Sequence, residues 1–377
     1  MSTKKRSNGE SARRALINRR NFLYTVGAAT ATLPALTALS PDGEAAGLGE
    51  AAARGPGVLT HAPVVMIWRR VTNLYETQAF VGKGLNLPKV GQDPTSVMYD
   101  AGGALVGYSV HEVSSSGDPP TEPLCSEQGL AAYGLQHNPA SSLVFAPSDY
   151  TGAVRKLYTT RGMVTPSVRN DYGERLSFLD EDGNYSSFYR PSNLAMEGRA
   201  GAKLSSLLRR RWSESVVADA GLNDKSRAAA PVPNPIIGVE LLVSDLAKSK
   251  DFYAGVLGLE VLESNAGEVR FDAGPLILTL RAEPSNMLVQ FLRRTGRLLG
   301  DWFVFHVNDI KGTTDALVNK GIKFPSGIER SVIGDVAYFN DPDGYSFNLW
   351  KPSGMTKMID FTPALKRILK ETSRAAP

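Results

Sequence analysis

The feature that most constrains this chain is an internal repeat. Val71-Thr72-Asn73-Leu74 matches Val243-Ser244-Asp245-Leu246, and Tyr99-Asp100-Ala101-Gly102 matches Phe271-Asp272-Ala273-Gly274, both at an offset of 172 residues. Gly162 with Pro166-Ser167 matches Gly321 with Pro325-Ser326. Asp180-Glu181-Asp182-Gly183 through Pro191-Ser192 matches Asp341-Pro342-Asp343-Gly344 through Pro352-Ser353. Four matches in one order, at separations of 159 to 172, mark a duplicated domain. Each copy is itself bipartite. Phe303, Phe305 and Val307 alternate ahead of Asn308-Asp309-Ile310, repeating the arrangement found before Ser244-Asp245. The chain therefore holds four strand–helix units, each expected to lead into a meander of short strands.

The clearest unit runs from Ile236 to Leu259 and changes period in the middle. Val239, Leu241 and Val243 alternate as a half-buried strand does, leaving Gly238, Glu240 and Leu242 on the other face. Ser244 and Asp245 offer side-chain oxygens to the first free N–H groups of a helix. Leu246, Ser249, Tyr253 and Val256 then fall on one stripe, and Gly258 can take the left-handed conformation that ends it.

At 377 residues the chain has room for two domains with separate cores. The net charge of +4 is misleading, because the first 20 residues carry seven basic side chains and one acid. The remainder sums to −2, which excludes a nucleic-acid partner as the default reading. Cys125 is the only cysteine, so neither an intrachain disulfide nor a thiolate metal cage is possible. Residues 1–45 read as a signal peptide and linker. Arg19-Arg20-Asn21-Phe22-Leu23 resembles the twin-arginine export signal, and the run from Asn21 to Pro41 is uncharged but only weakly hydrophobic. That resemblance implies the twin-arginine machinery as a partner, a periplasmic or extracellular location, and no stable membrane span in the mature chain. Domain 1 is expected over 62–192, a linker over 193–234, domain 2 over 235–353 and a helical tail over 354–377. Between Ala101 and Ser142 the first copy carries a Ser-, Gly- and Pro-rich insertion read as loop. The linker contains a helix near Ala202–Trp212, whose Arg209-Arg210-Arg211 is read as a solvated face, and the tail helix is expected to pack on domain 2.

Val-Ser-Asp-Leu at 243–246, Lys-Asp-Phe-Tyr at 250–253, Leu-Gly-Leu at 257–259 and Asp-Pro-Asp-Gly at 341–344 resemble the vicinal oxygen chelate superfamily. That group includes glyoxalase I, bleomycin-resistance proteins and extradiol dioxygenases. The resemblance covers Ile236–Ser353 and, more weakly, Val64–Ser192. It implies an α+β fold of two glyoxalase-like domains, each of two βαβββ modules curled into a cup that holds a small ligand. In metal-using members one ligand stands seven residues before the Asp that closes each module's first strand. A Glu stands in the last strand, seven residues after the first Asp of Asp-Pro-Asp-Gly. The corresponding residues are Gly238, Trp302 and Asn348 in domain 2, and Met66, Ser142 and Ser187 in domain 1. None is His or Glu, so neither metal nor any other cofactor is expected.

Strand parity places Glu240 on the face of Gly238, and His306 on the face of Trp302. Converging in the domain 2 cup, a carboxylate and an imidazole would form an acid–base pair, hold a displaced metal, or merely satisfy each other. Trp68 and Arg70 occupy the matching face of domain 1 and suit a planar or anionic ligand, or packing and a surface ion pair. His61, His111 and His137 fall outside both cups, and Asp-Pro-Asp-Gly reads as a tight turn, since its spacing is wrong for a calcium loop. The leading expectation is an exported protein binding a small organic ligand in a metal-free cup, with Trp302, Asn348, Gly238, Trp68 and Arg70 in contact. The alternative is a lyase, isomerase or ring-cleaving dioxygenase working through a relocated site around Glu240 and His306.

Overall fold

In the computed structural model the described residues are 57–71, 73–110, 141–160, 162–213, 232–282, 301–331, 333–354, 356 and 361–373. The twin-arginine segment, Cys125, His111 and His137 lie outside them. Four modules follow one another. The first comprises β1 (Val64–Val71), α1 (Leu74–Ala79, prolonged by a π-helical turn over Phe80–Gly84), β2 (Lys89–Gln92), β3 (Ser96–Asp100) and β4 (Leu105–Val110). The second comprises β5 (Ser141–Phe145), α2 (Tyr150–Leu157), β6 (Met163–Val164), β7 (Val168–Asn170), β8 (Gly173–Leu179) and β9 (Tyr185–Pro191), after which α3 (Gly198–Ser213) follows.

The third module comprises β10 (Ile236–Val243), α4 (Leu246–Lys250, prolonged by a π-helical turn over Asp251–Leu257), β11 (Glu260–Ser264), β12 (Glu268–Asp272) and β13 (Ile277–Ala282). The fourth comprises β14 (Trp302–His306), α5 (Ile310–Val318), β15 (Ile328–Ser331), β16 (Gly334–Asn340) and β17 (Ser346–Pro352), and α6 (Thr362–Ser373) ends the described chain.

The four strand–helix junctions share one chemistry. The side chains of Asn73, Asp149, Asp245 and Asp309 each accept from backbone N–H groups in the first turn of the helix that follows. Gly258 ends its helix at φ 80°, a conformation that a Cβ would strain. The two Asp-x-Asp-Gly segments are tight turns: Asp341 Oδ1 accepts from the backbone of Asp343 and Tyr345, and Asp180 Oδ1 from that of Asp182 and Asn184.

In every module the first strand runs parallel to the last, β1 with β4, β5 with β9, β10 with β13 and β14 with β17. The modules then pair across the duplication. Sheet A has the order β15-β16-β17-β14-β1-β4-β3-β2, and sheet B the order β11-β12-β13-β10-β5-β9-β8-β6. Sheet A thus joins the first module to the fourth, and sheet B the second to the third, through the antiparallel pairs β1–β14 and β5–β10. The mixed α+β class and the two curled sheets agree with the expected fold, whereas the partners within each sheet come from different copies of the repeat. One face of each sheet enters a common core that includes Ile67, Phe305 and Phe347 of sheet A and Phe145, Leu241 and Phe271 of sheet B. The opposite face of each sheet forms a cup, A or B.

The two helices outside the modules belong to the cups. On cup A, α6 places Ala364, Leu365 and Ile368 in one buried cluster with Met66, Trp68 and Trp302. On cup B, α3 places Leu204, Leu207 and Leu208 against Val144, Ile237 and Ile277. Each is pinned to the repeated Asp at the end of a third strand. Arg367 donates to both oxygens of Asp100 at 2.6 and 3.0 Å, and Lys203 to both oxygens of Asp272 at 2.7 Å. The tail helix therefore covers strands from both halves of the chain, not domain 2 alone. In the linker helix Arg209 is exposed as expected, but Arg211 is buried and donates to the carbonyl oxygens of Ile236 and Pro275.

Candidate functional site

Because each sheet draws on both halves, the residues expected together in the domain 2 cup divide between two cups. Gly238 and Glu240 lie on β10 in sheet B, while Trp302, His306 and Asn348 lie on β14 and β17 in sheet A. The anticipated pair of Glu240 with His306 is thus not assembled. His306 sits half-buried at the end of β14, where burial holds its imidazole below its ordinary pKa.

Cup A is filled. Trp68 and Trp302 stand opposite each other on β1 and β14, and both are buried. Gly107, beside Trp68 on β4, has no room for a side chain: a Cβ there would lie 2.5 Å from the Trp68 ring. The Trp68 indole N–H donates to Met66 Sδ, and Arg70 lies over the Trp302 ring at 5.2 Å. With α6 packed on this surface, Trp68, Trp302 and Met66 are core residues. Asn348, on β17 of the same sheet, is buried as well, and neither its amide nitrogen nor its oxygen has a hydrogen-bond partner.

Cup B holds a cavity of about 620 Å³. Its floor follows from strand register. Glu240 faces Ser142 on β5 and Thr279 on β13, while Ser142 faces Tyr185 on β9 and Thr279 faces Arg270 on β12. Alternation sends Val239, Leu241, Leu278 and Leu280 to the core and the polar set to the cavity. Tyr172, Tyr185 and Tyr189 supply aromatic walls, and Leu204, Ile237 and Ile277 an apolar one.

Ion pairs of alternating sign cross this floor. Arg175, on β8, reaches over β9 and β5 and donates to both oxygens of Glu240 at 2.7 and 2.6 Å. The strands beneath it carry small residues, and one of them, Ser187, accepts from the same guanidinium at 2.8 Å. Arg281 approaches Glu240 and Glu268 at 3.3 Å each, and Arg270 pairs with Glu268 at 2.6 Å and Glu263 at 3.0 Å. Burial pushes the Glu240 carboxyl upward, but Arg175, with Arg281 and Arg270 behind it, holds it below the usual carboxylate range. Two groups remain unsatisfied. Ser142 Oγ and Arg281 Nε are buried without a hydrogen-bond partner.

Register also completes the set of positions from which a metal would be held. Thr279 and Gly107 stand in their modules where Ser187 and Asn348 stand in theirs, so the four positions are Ser142, Ser187, Gly238 and Thr279 in cup B. In cup A they are Met66, Gly107, Trp302 and Asn348. Neither set fits a divalent cation. Cup B offers three hydroxyls and no side chain at Gly238, and the nearby carboxylate is already clamped by a guanidinium. Among the described residues no three His, Cys, Asp or Glu side chains gather to hold a metal.

Sequence reasoning missed Arg175, Arg270, Arg281 and Thr279. Parity on β13 and β8 held the signal, since Thr279 and Arg281 alternate with Leu278 and Leu280, and Arg175 and Ser177 with Leu176 and Phe178.

The fold is similar to that of solved proteins. No curated protein matches the chain. A structure of a Bacillus subtilis protein provisionally named a dioxygenase is similar at 15% identity, with a TM-score of 0.50, over 82% of this chain and 96% of that one. A glyoxalase I variant from Zea mays is similar at 14% identity, with a TM-score of 0.50, over 82% and 98%. At these identities the likeness is one of fold. Residues 236–349 match the family model of the Glyoxalase/Bleomycin resistance protein/Dioxygenase superfamily, so a domain of that superfamily spans the third module and most of the fourth.

Proposed function

We propose that this chain binds a small organic molecule in cup B, without a metal. The observation that carries the reading is the cavity of about 620 Å³, floored by polar groups that include the unpartnered hydroxyl of Ser142. Pockets of this size with apolar walls and a few placed polar groups are typical of small-molecule sites. Cup A, filled by its own tryptophans and α6, serves the fold. We further propose that the chain is exported by the twin-arginine machinery. Arg19-Arg20 and the uncharged run behind them support that reading, and no helix among the described residues is long and apolar enough to cross a membrane.

Ligand-observed NMR against a library of small aromatic and aliphatic acids, amides and amines tests the binding function. Ser177→Trp, which projects an indole into cup B from β8, should abolish the signals without lowering the melting temperature. Signals that survive this substitution would place binding elsewhere.

A further inference from the structure

The floor of cup B sets three guanidiniums, Arg175, Arg270 and Arg281, against three carboxylates, Glu240, Glu263 and Glu268, but shares them unequally. Two guanidiniums, Arg175 and Arg281, approach one buried carboxylate, Glu240. Arg175 takes both carboxylate oxygens at 2.7 and 2.6 Å, so Glu240 is fully engaged by that partner. Glu268 is likewise held by Arg270 at 2.6 Å. Arg281 receives what is left, two ion contacts of 3.3 Å, and forms no directed hydrogen bond among the described residues. A guanidinium presents five N–H donors in a rigid fork suited to a carboxylate. This one lines the cavity with 41% of its side chain accessible, and its Nε meets Glu268 at 3.3 Å without forming a hydrogen bond. One strand beyond Glu240, Ser142 adds a second unsatisfied donor on the same face.

We propose that the ligand of cup B is an organic acid whose carboxylate is received by Arg281 and the Ser142 hydroxyl, with its apolar, preferably aromatic, body against the tyrosine walls. This rests on the reading of cup B as the binding site. Arg175 has a different part. Locked by Glu240 and Ser187 over the positions from which a metal would be held, it is a fixed cation that orients the floor, and Arg281 is the one left for the ligand. The proposal explains why Glu240 is retained in a cavity that has no use for a lone carboxylate. It pins Arg175 and keeps the two guanidiniums from repelling each other.

The test uses the full chain and a matched pair of fluorescent probes, 2-naphthoate and its neutral isostere 2-naphthamide. The acid should bind at least about tenfold more tightly than the amide, the scale expected when a charge-assisted pair replaces a neutral one. Arg281→Gln should bring the acid down to about the level of the amide, whose own affinity should fall by much less, since a neutral acceptor gains less from the guanidinium. Arg281→Lys, which keeps the charge but not the fork, should fall between, and the melting temperatures of both variants confirm folding. Equal affinity for acid and amide, or an acid affinity unmoved by Arg281→Gln, overturns the anionic ligand while leaving cup B a binding site. No saturable binding of naphthoate at millimolar concentration also overturns it. Binding of both probes that persists in Ser177→Trp would instead remove cup B as the site.

Discussion

Cups A and B share one backbone plan, and they differ at nearly every position that faces inward. Trp68 and Glu240 are equivalent by the 172-residue offset, and register places Trp302 opposite the first as Ser142 stands opposite the second. The same alignment sets Met66 against Gly238, Val336 against Arg175, Asn348 against Ser187 and Trp350 against Tyr189. Cup A therefore answers Gly238, Glu240, Ser142, Arg175 and Ser187 of cup B with larger or apolar side chains, while Gly107 and Ser109 stand where cup B has Thr279 and Arg281. Both cups carry a helix pinned to the same repeated aspartate, so the helix does not decide which one is closed. The floor decides it. Two facing tryptophans make a surface on which α6 can bury an apolar stripe, whereas a row of ion pairs keeps α3 to one end of cup B.

The largest expected effect breaks the filled cup. Trp302→Ala removes a buried indole beside Trp68 and α6, and should destabilise the fold by about 3–5 kcal/mol, as large-to-small core substitutions do. Urea unfolding of the full chain would measure it, and the affinity of cup B for its probes should not change. A loss under about 1 kcal/mol, with weakened binding, would mean that cup A is the working cup after all.

Next in size is the charged floor. Glu240→Gln leaves Arg175 without its counter-charge, at a place where both side chains are mostly covered, 23% and 15% exposed. The expected cost is about 1–3 kcal/mol, that of an unpaired, partly buried donor. Its pH dependence has a defined sign. The folded-state pKa of Glu240 is lowered, so the stability it supplies is present above the ordinary carboxylate pKa and is lost as pH falls through the folded value. Wild type and variant should differ at neutral pH, begin to approach each other below the ordinary carboxylate pKa, and converge once the pH has fallen through the lowered folded value. Parallel stability curves down to the acid limb would mean that the Arg175 pair contributes nothing.

How much of this contrast was legible beforehand depends on the range of the interaction involved. The duplication, the four Asn or Asp helix caps and the two Asp-x-Asp-Gly turns are short-range devices, and the chain spells them out locally. Which module shares a sheet with which is decided by long-range pairing of β1 with β14 and β5 with β10, to which neither period nor capping is sensitive. That one ambiguity separated Glu240 from His306 and Gly238 from Trp302. It also hid the partner of Glu240, because Arg175 lies 65 residues away, on a strand that carries no family motif. The amphipathic pattern of the linker and tail was visible as helix, but the surfaces they cover belong to sheets that only the paired modules create.

The smallest expected effect sharpens the comparison most, because it asks whether an unsatisfied group is waiting for a ligand or is merely tolerated. Asn348 in cup A and Ser142 in cup B are both buried and without partners. Asn348 belongs to the cup closed by tryptophans and α6, whereas Ser142 lines an open cavity. Removing a hydroxyl that forms no bond forfeits no hydrogen bond and relieves a desolvation cost, so Ser142→Ala should change stability by no more than about 0.5 kcal/mol. If the hydroxyl serves the ligand, the same change should weaken 2-naphthoate binding about three- to tenfold, the ordinary worth of one hydrogen bond to a charged group. Unfolding and titration on the same preparation separate the two. Unchanged affinity would make Ser142 a structural vacancy like Asn348, and Arg281 would then have to select the acid alone.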